Sequence, residues 1–343
     1  MTKSISKPVV VIPNLNGGDE LLAAIASLVT QSLEPYIIVV DNASTDDSIT
    51  KLEKQYPEIE IIKHSKNRGY AGGVNPGFQR AIELGATYAA PFNDDAIADK
   101  HWLRQLVACL DANPKVGSAC CKVVTADHER LDSTGDYYTN WGLPYPRGRR
   151  EYDLKKYDIQ TEIFAASGAA SLYRVKALKQ VGLFDEDFFA YYEDVDLGFR
   201  LQLGGWKAAF VPSSVVYHHI GMTSGRIKGL TTRQTMKNLP LLWAKNVPKQ
   251  YLWTVGWRLF LAQIMFLGRA TTRGQFWPAF KGALAACYLI IKKIPERHRI
   301  QKNRKVADSY IWNMLIHDLP PNARALRTLR KNWWRLTGKG VHE

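Results

Sequence analysis

The feature that most constrains how this chain folds is an alternation. Short apolar runs end in polar clusters, and each cluster leads into a segment with helical spacing. Residues 9–12, 36–40, 60–63 and 88–92 predict strands. Between the first two, Leu21, Leu22, Ile25, Leu28 and Val29 recur at helical spacing behind Asp19, and 46–56 and 73–84 predict further helices. Strand–helix alternation of this kind implies right-handed βαβ units and a mostly parallel sheet. Such sheets bind ligands beyond the carboxyl ends of their strands, which is where the polar clusters lie.

With 343 residues, 46% apolar and 23% charged, the chain is long and apolar enough to bury a core, which excludes wholesale disorder. Charge divides it. Residues 220–343 carry 23 Lys and Arg against 4 Asp and Glu, and seven of the ten tryptophans; residues 1–219 are slightly acidic. The second part has three aromatic–apolar regions, 239–257, 259–268 and 276–294, interrupted or flanked by cations (Lys245, Arg258, Lys281, Lys292). Its longest uncharged stretches, 259–268 and 282–291, have ten residues each, short of the roughly 18–20 residues of a membrane span, so amphipathic helices lying on an anionic membrane are expected. A final segment, 324–335, adds Arg324, Arg327, Arg330, Trp333 and Trp334. A cationic, Trp-bearing tail also suits a single-stranded nucleic acid, but 259–268 and 282–291 are greasier than strand binding needs, and no nucleic acid partner is expected. The N-terminus lacks the apolar stretch of a signal peptide, and the four cysteines form no C-x-x-C pair, which predicts a cytoplasmic protein without disulfides or zinc.

Four clusters carry chemistry. After the second strand, Asp41-Asn42-Ala43-Ser44-Thr45-Asp46 offers a carboxylate to a base or ribose, or an Asx turn capping the next helix. The run Asn67-Arg68-Gly69-Tyr70-Ala71-Gly72-Gly73-Val74-Asn75-Pro76-Gly77 suits close approach of a diphosphate to a helix start, or is a glycine-rich turn; it lacks the G-x-G-x-x-G dinucleotide spacing. Asn93-Asp94-Asp95 pairs two carboxylates that repel unless a cation or hydrogen bonds compensate; one of them could instead cap a helix over 101–110. Glu193, Asp194 and Asp196, preceded by four aromatics, open a helix that ends at Gly204-Gly205; they complement its dipole, and desolvation there would raise a carboxylate toward general-base duty. Further on, His218 and His219 close an apolar strand, and 135–150 reads as a long irregular loop.

In this order, VVVIPNLNG, IIVVDNASTDDS, NRGYAGGVNPGF, FNDDA, AASGAASLYRVKAL, GLFDEDFFAYYEDVDLGFRL and VVYHHIG resemble the family 2 glycosyltransferases of GT-A fold, particularly the bacterial rhamnosyltransferase and galactofuranosyltransferase-like branch. The resemblance implies an α/β GT-A fold with a C-terminal basic amphipathic helical extension. A catalytic domain would occupy 1–229 (nucleotide half 1–114, acceptor half 115–229) and a membrane-associating region 230–343. It implies inverting transfer from a dTDP- or UDP-sugar, L-rhamnose first and galactofuranose as the alternative, to a polyprenyl-diphosphate-linked glycan at the cytoplasmic membrane face, with Mg²⁺ or Mn²⁺. Pro13, Asn14 and Asp41 would line the nucleotide pocket, and Arg68, Gly69, Asn75, Asn93 and Asp94 the nucleotide-sugar side. Asp95 would hold the metal, with His218 compensating for Asn93 in place of the first D-x-D carboxylate. Asp194 would be the base, with Glu193 open as the alternative, and Gly168 and Trp141 would border the acceptor.

Overall fold

A computed structural model of the chain describes residues 5–153, 155–219, 227–321, 323 and 327–328. Arg324, Arg330, Trp333 and Trp334 lie outside the described residues.

The expected alternation forms β1 (Val9–Asn14), α1 (Gly18–Val29), β2 (Tyr36–Asp41), α2 (Ser48–Gln55), β3 (Glu60–Lys63), α3 (Gly69–Glu83) and β4 (Tyr88–Pro91). There follow β5 (Ala96–Ala98), α4 (Trp102–Ala112), β6 (Val116–Thr125), β7 (Leu131–Ser133), β8 (Asp136–Tyr138), β9 (Pro144–Pro146), β10 (Thr161–Ile163), β11 (Ser171–Arg174), α5 (Val175–Val181), α6 (Glu193–Leu203) and β12 (Lys207–His218). The tail is helical: α7 (Leu230–Asn246), α8 (Leu252–Thr272), α9 (Phe276–Lys292), α10 (Ile294–Lys302) and α11 (Asp308–Met314).

The main sheet runs β10-β12-β6-β11-β4-β1-β2-β3. Its β3-β2-β1-β4 half is parallel, and β11 enters antiparallel between β4 and β6. β1 is buried along its whole length because both of its faces are covered. Val10 and Ile12 point to the layer of α1, α2 and α4, and Val9 and Val11 to that of α3, α5 and α6, the two-residue period of a strand. Gly77 lets α3 lie directly on β1, since a Cβ there would stand 2.3 Å from Val11 Cγ1. This packing brings the carboxyl ends of β1, β2 and β4 to one edge.

Three expectations change. α3 starts at Gly69, four residues before the predicted start, because its glycines are helical despite their low propensity. The 135–150 loop contains a hairpin, β8 with β9, too short to leave a periodic signal. The 239–257 region is two helices, divided where Pro248 follows the end of α7.

The tail is welded to the body rather than strung from it. The Lys245 side chain is fully buried, and its Nζ donates to Asp185 Oδ2 (2.7 Å) and Asp196 Oδ2 (3.0 Å) and pairs with Glu296 (3.0 Å). Arg200 and Asn246 complete the shell of Asp196, and Lys293 that of Asp185. Arg297 donates to the Ala244 and Val247 carbonyls at the end of α7. Part of the tail's positive charge is therefore matched by carboxylates within the fold. Among the described residues no helix is long and apolar enough to cross a membrane.

Candidate active site

The loops after β1, β2 and β4 meet over the start of α3. Asn14 is fully buried, its amide donating to Ser44 Oγ (3.0 Å) and Ser48 Oγ (3.1 Å) and its Oδ1 accepting from Gly17 N–H (3.1 Å). Its side chain thus builds the β1–α1 loop. Pro13, also buried, pairs in register with Val40 and lies under Gly73. Asp41 accepts from Ser44 N–H (2.9 Å), the Asx turn, while Asp46 receives Ser48 N–H and Gly18 N–H and ties the starts of α1 and α2 together. Asn42 donates to Gly69 O (2.9 Å) and accepts from Arg68 N–H (2.9 Å), fixing the turn into α3.

Arg68 and Asn75, expected beside the sugar, both reach Glu186: Arg68 by an ion pair (2.5 Å), Asn75 by a hydrogen bond (3.2 Å) while it also clasps Phe184 through both ends of its amide. They tie α3 to the segment that precedes the Glu193–Asp194 pair. Gly69 tightens the same junction. It has φ +72°, and a Cβ would stand 2.2 Å from Phe189 O.

Asp94 and Asp95 do not cap a helix, because β5 intervenes and α4 begins only at Trp102. Asp94 lies over the β1–α1 loop and accepts from Leu15 N–H (3.4 Å); burial first and Asp95 second push it up to about 7. Asp95 Oδ1 is 3.1 Å from His218 Nε2, and His218 Nδ1 is 2.9 Å from Asp132 Oδ2. Burial pulls His218 down, but its hydrogen bonds to Asp132 and Asp95 outweigh it and hold the ring at about 9; a metal ion at Nε2 would take the place of the proton there.

Asn93 lies 3.0 Å from the same Nε2 through its amide nitrogen, and its Oδ1 is buried without a partner. Turned over, that amide presents its oxygen to the space between Asp95 and His218. Among the described residues no cluster of three His, Cys, Asp or Glu side chains is set out for a metal. Carboxylate, imidazole and amide oxygen are nonetheless a donor set that fits Mg²⁺ or Mn²⁺, with Asp132 orienting the ring from behind. Asp132 was missed in the sequence, where a carboxylate inside a three-residue strand carries no signal.

The Glu193–Asp194 pair opens α6. Asp194 Oδ2 accepts from Gly168 N–H (2.7 Å) and Oδ1 from Val195 N–H (2.8 Å), while Gly168 O accepts from the Tyr70 hydroxyl. Gly168 therefore joins α3 to the carboxylate, and a Cβ there would stand 3.2 Å from Asp194 Oδ2. Burial raises Asp194 against the pull of these amides; burial and then Asp194 push Glu193 up to about 8. Glu193 Oε2 is buried and has no partner. Asp136, fully desolvated and facing Asp194, is likewise held well above the usual carboxylate range. Asp196, in the same acidic run, is instead the structural partner of Arg200 and Lys245. Trp141 stands apart from these carboxylates on the β8–β9 hairpin, its ring 6.2 Å from that of Trp257 on α8.

The fold is that of the GT-A glycosyltransferases. The chain belongs to glycosyl transferase family 2, whose family model matches residues 9–182. It is 30% identical over 239 residues to an N-acetylglucosaminyl-diphospho-decaprenol L-rhamnosyltransferase of Mycobacterium tuberculosis, covering 64% of this chain and 78% of that one. It is 22% identical over 210 residues to the dTDP-rhamnosyl transferase RfbF of Shigella flexneri, covering 60% and 67%. The solved mannosyltransferase PcManGT of Pyrobaculum calidifontis, in complex with GDP-Man and Mn²⁺, superposes with a TM-score of 0.52 at 17% identity over 91% of this chain and 87% of that one.

Proposed function

We propose that the protein is an inverting L-rhamnosyltransferase that uses dTDP-rhamnose and glycosylates a polyprenyl-diphosphate-linked glycan, such as one ending in N-acetylglucosamine, during cell-surface polysaccharide assembly. The observation that carries the reading is the half-buried Asp194 carboxylate, oriented by two backbone amides and joined through Gly168 and Tyr70 to the glycine-rich start of α3. The two rhamnosyltransferase relatives support the donor sugar, and the diphospho-decaprenol of one of them supports the acceptor class.

In this reading Asp41 and the Pro13–Asn14 turn hold the base, and Asp94 faces the ribose or sugar. The acceptor hydroxyl approaches Asp194, whose carboxylate takes its proton as the oxygen attacks the anomeric carbon. The bond from that carbon to the diphosphate oxygen breaks, its electron pair leaves with the nucleotide, and configuration inverts, with an oxocarbenium-like transition state. Asp95, His218 and Asn93 would hold a divalent cation, which supplies positive charge beside the departing diphosphate. Glu193, raised to about 8, carries a proton at neutral pH and leaves Asp194 as the ionised member of the pair.

The acceptor's lipid accounts for the tail. Trp253, Trp257, Phe260 and Ile264 of α8 are exposed at spacings of one helix face, as are Trp277, Phe280, Leu284, Tyr288 and Ile291 of α9. Trp253 is 81% and Trp277 65% exposed, more apolar surface than water tolerates without a partner, and Arg269, Arg273 and Lys281 accompany it. Such faces dock on an anionic leaflet, each cation adding roughly 1 kcal/mol. The Trp141–Trp257 contact joins that surface to the acceptor-side hairpin.

Thermal stabilisation by dTDP-rhamnose, UDP-galactofuranose, UDP-N-acetylglucosamine and GDP-mannose, each with and without Mn²⁺ or Mg²⁺, tests the donor. The reading expects a metal-dependent shift largest for dTDP-rhamnose; a larger shift with a UDP-sugar would discard rhamnose.

A further inference from the structure

We infer that Asn238 and Lys237 of α7 are positioning residues for glycosyl transfer. They hold residues 187–191 in a strained path that sets the direction in which Glu193 and Asp194 enter the site. The inference rests on the reading of that pair as the seat of the base.

The segment before α6 takes a route its side chains do not favour. Phe189 has φ 63° and ψ −63° and closes a three-residue turn in which Ala190 N–H donates to Phe188 O (2.7 Å). Tyr191 and Tyr192 follow at φ 70° and 69°, in the left-handed region that bulky residues avoid. Tyr192 is the N-cap of α6, and its carbonyl accepts from Asp196 N–H (2.9 Å). The left-handed pair therefore decides where the first turn, with both carboxylates, points. Such backbone persists only where its surroundings over-determine it.

The surroundings come from α7. Asn238, fully buried, places Nδ2 at the focus of three carbonyls: Phe188 O (3.0 Å), Ala190 O (2.9 Å) and Tyr191 O (2.8 Å). Lys237 Nζ donates to Asp187 O (2.7 Å) and Phe188 O (3.2 Å), and the Tyr191 hydroxyl meets Thr231 Oγ1 (2.9 Å). From the opposite side Ala71 N–H reaches Phe189 O (3.2 Å). The turn is thus gripped between α3, which carries the nucleotide-side loop, and α7.

Stability alone does not explain Asn238. A buried mid-helix amide whose Oδ1 finds no partner is worse for the core than a leucine, so what it supplies is the grip on the Ala190 and Tyr191 carbonyls, with a share of Phe188 O. The run KNLPLLWAKN places two Lys-Asn pairs eight residues apart. The second pair locks α6 through Asp196, and the first fixes the turn that launches it.

The test measures transfer from dTDP-rhamnose to a short-chain polyprenyl-diphosphate N-acetylglucosamine, and dTDP binding by calorimetry, for Asn238→Ala, Asn238→Asp, Lys237→Met and, in parallel, Asp194→Asn. Asp at 238 keeps the size and loses the donors. A displacement of about 1 Å at the reacting centre costs on the order of 100-fold in rate, so both 238 variants should lose about that in kcat with dTDP affinity within ~3-fold of wild type. Lys237→Met, which leaves Asn238 in place, should fold and lose roughly 10-fold, and it decides the matter if the 238 variants do not fold. Wild-type kcat in a folded 238 variant, or in Lys237→Met when neither 238 variant folds, overturns the inference, as does a loss of dTDP binding that matches the loss of rate. If Asp194→Asn transfers at the wild-type rate, the base assignment is what fails, and the positioning role falls with it.

Discussion

Lys245→Ala should unfold the junction between tail and body in a way that a packing defect would not. Its ammonium is fully buried and touches three carboxylates, so its removal leaves buried negative charge short of partners. Breaking such a pair typically costs about 3–5 kcal/mol. Here Asp196 keeps Arg200 and Asn246, and Asp185 keeps Lys293, which points to the lower end, about 3 kcal/mol. For 343 residues an unfolding entropy of roughly 0.7 kcal/mol/K turns that into a fall in Tm of about 4 °C.

The effect has a pH signature. Burial pushes Asp185 up, but Lys245 and then Lys293 outweigh it and hold its carboxyl far below the usual range. A depressed carboxylate contributes stability that is present above its unfolded pKa, about 3.9, and is lost as pH falls through the lower folded value. The gap between wild type and variant should therefore be full at pH 7, start to narrow only below about pH 4, and be much reduced by about pH 2. Urea unfolding followed by tryptophan fluorescence at pH 7 and about pH 2 measures it, with Lys245→Met as the volume-matched companion, expected within about 1 kcal/mol of Lys245→Ala. A loss under about 1 kcal/mol at pH 7, a gap that persists in acid, or recovery by Met would refute the charge argument.

Gly69→Ala should cost at least about 1–3 kcal/mol through its positive φ and its clash with Phe189, read as a lower urea midpoint with transfer reduced in parallel. Asp132→Asn should weaken Mn²⁺ binding by roughly 10–100-fold through the orientation of His218, measured by Mn²⁺ titration in the presence of dTDP. The rate kcat/KM should rise with pH along a limb above the ordinary carboxylate range, because burial raises Asp194 and the base must lose its proton. Glu193 keeps its own proton over that limb, so Glu193→Gln should leave the limb where it is, which a pH profile of the variant checks. Replacing Trp253 and Trp277 together with Ser should abolish co-flotation with phosphatidylglycerol vesicles while leaving dTDP binding intact, since both rings stand in solvent.

What the sequence made legible follows from range. β1, β2 and β4 were readable because each holds an uninterrupted apolar run, β3 from its Ile61–Ile62 pair, and the α1 face because Leu21, Ile25 and Leu28 recur locally. Strands β5, β7, β8, β9 and β10 have three residues each and owe their existence to partners far along the chain. The candidate carboxylates were visible as clusters after strands, but their companions were not: Asp132 meets His218 across 86 residues, and Asn238 meets Phe188 across 50. Charge counting failed in the same way. Lys237 and Lys245 entered the net charge of the tail, yet they are buried because their acceptors come from the loop at 185–188 and from α6 and α10. For Arg68 and Asn75 the family resemblance implied a place on the nucleotide-sugar side; in the structure their side chains go to Glu186.

The most direct test of the account is the Asp194→Asn enzyme, assayed for transfer from dTDP-rhamnose to polyprenyl-diphosphate N-acetylglucosamine with donor binding measured on the same preparation. Loss of a general base should lower kcat by about 10²–10⁴-fold while dTDP-rhamnose binds within ~3-fold of wild type. Transfer at the wild-type rate by a folded Asp194→Asn protein would contradict the account at its centre.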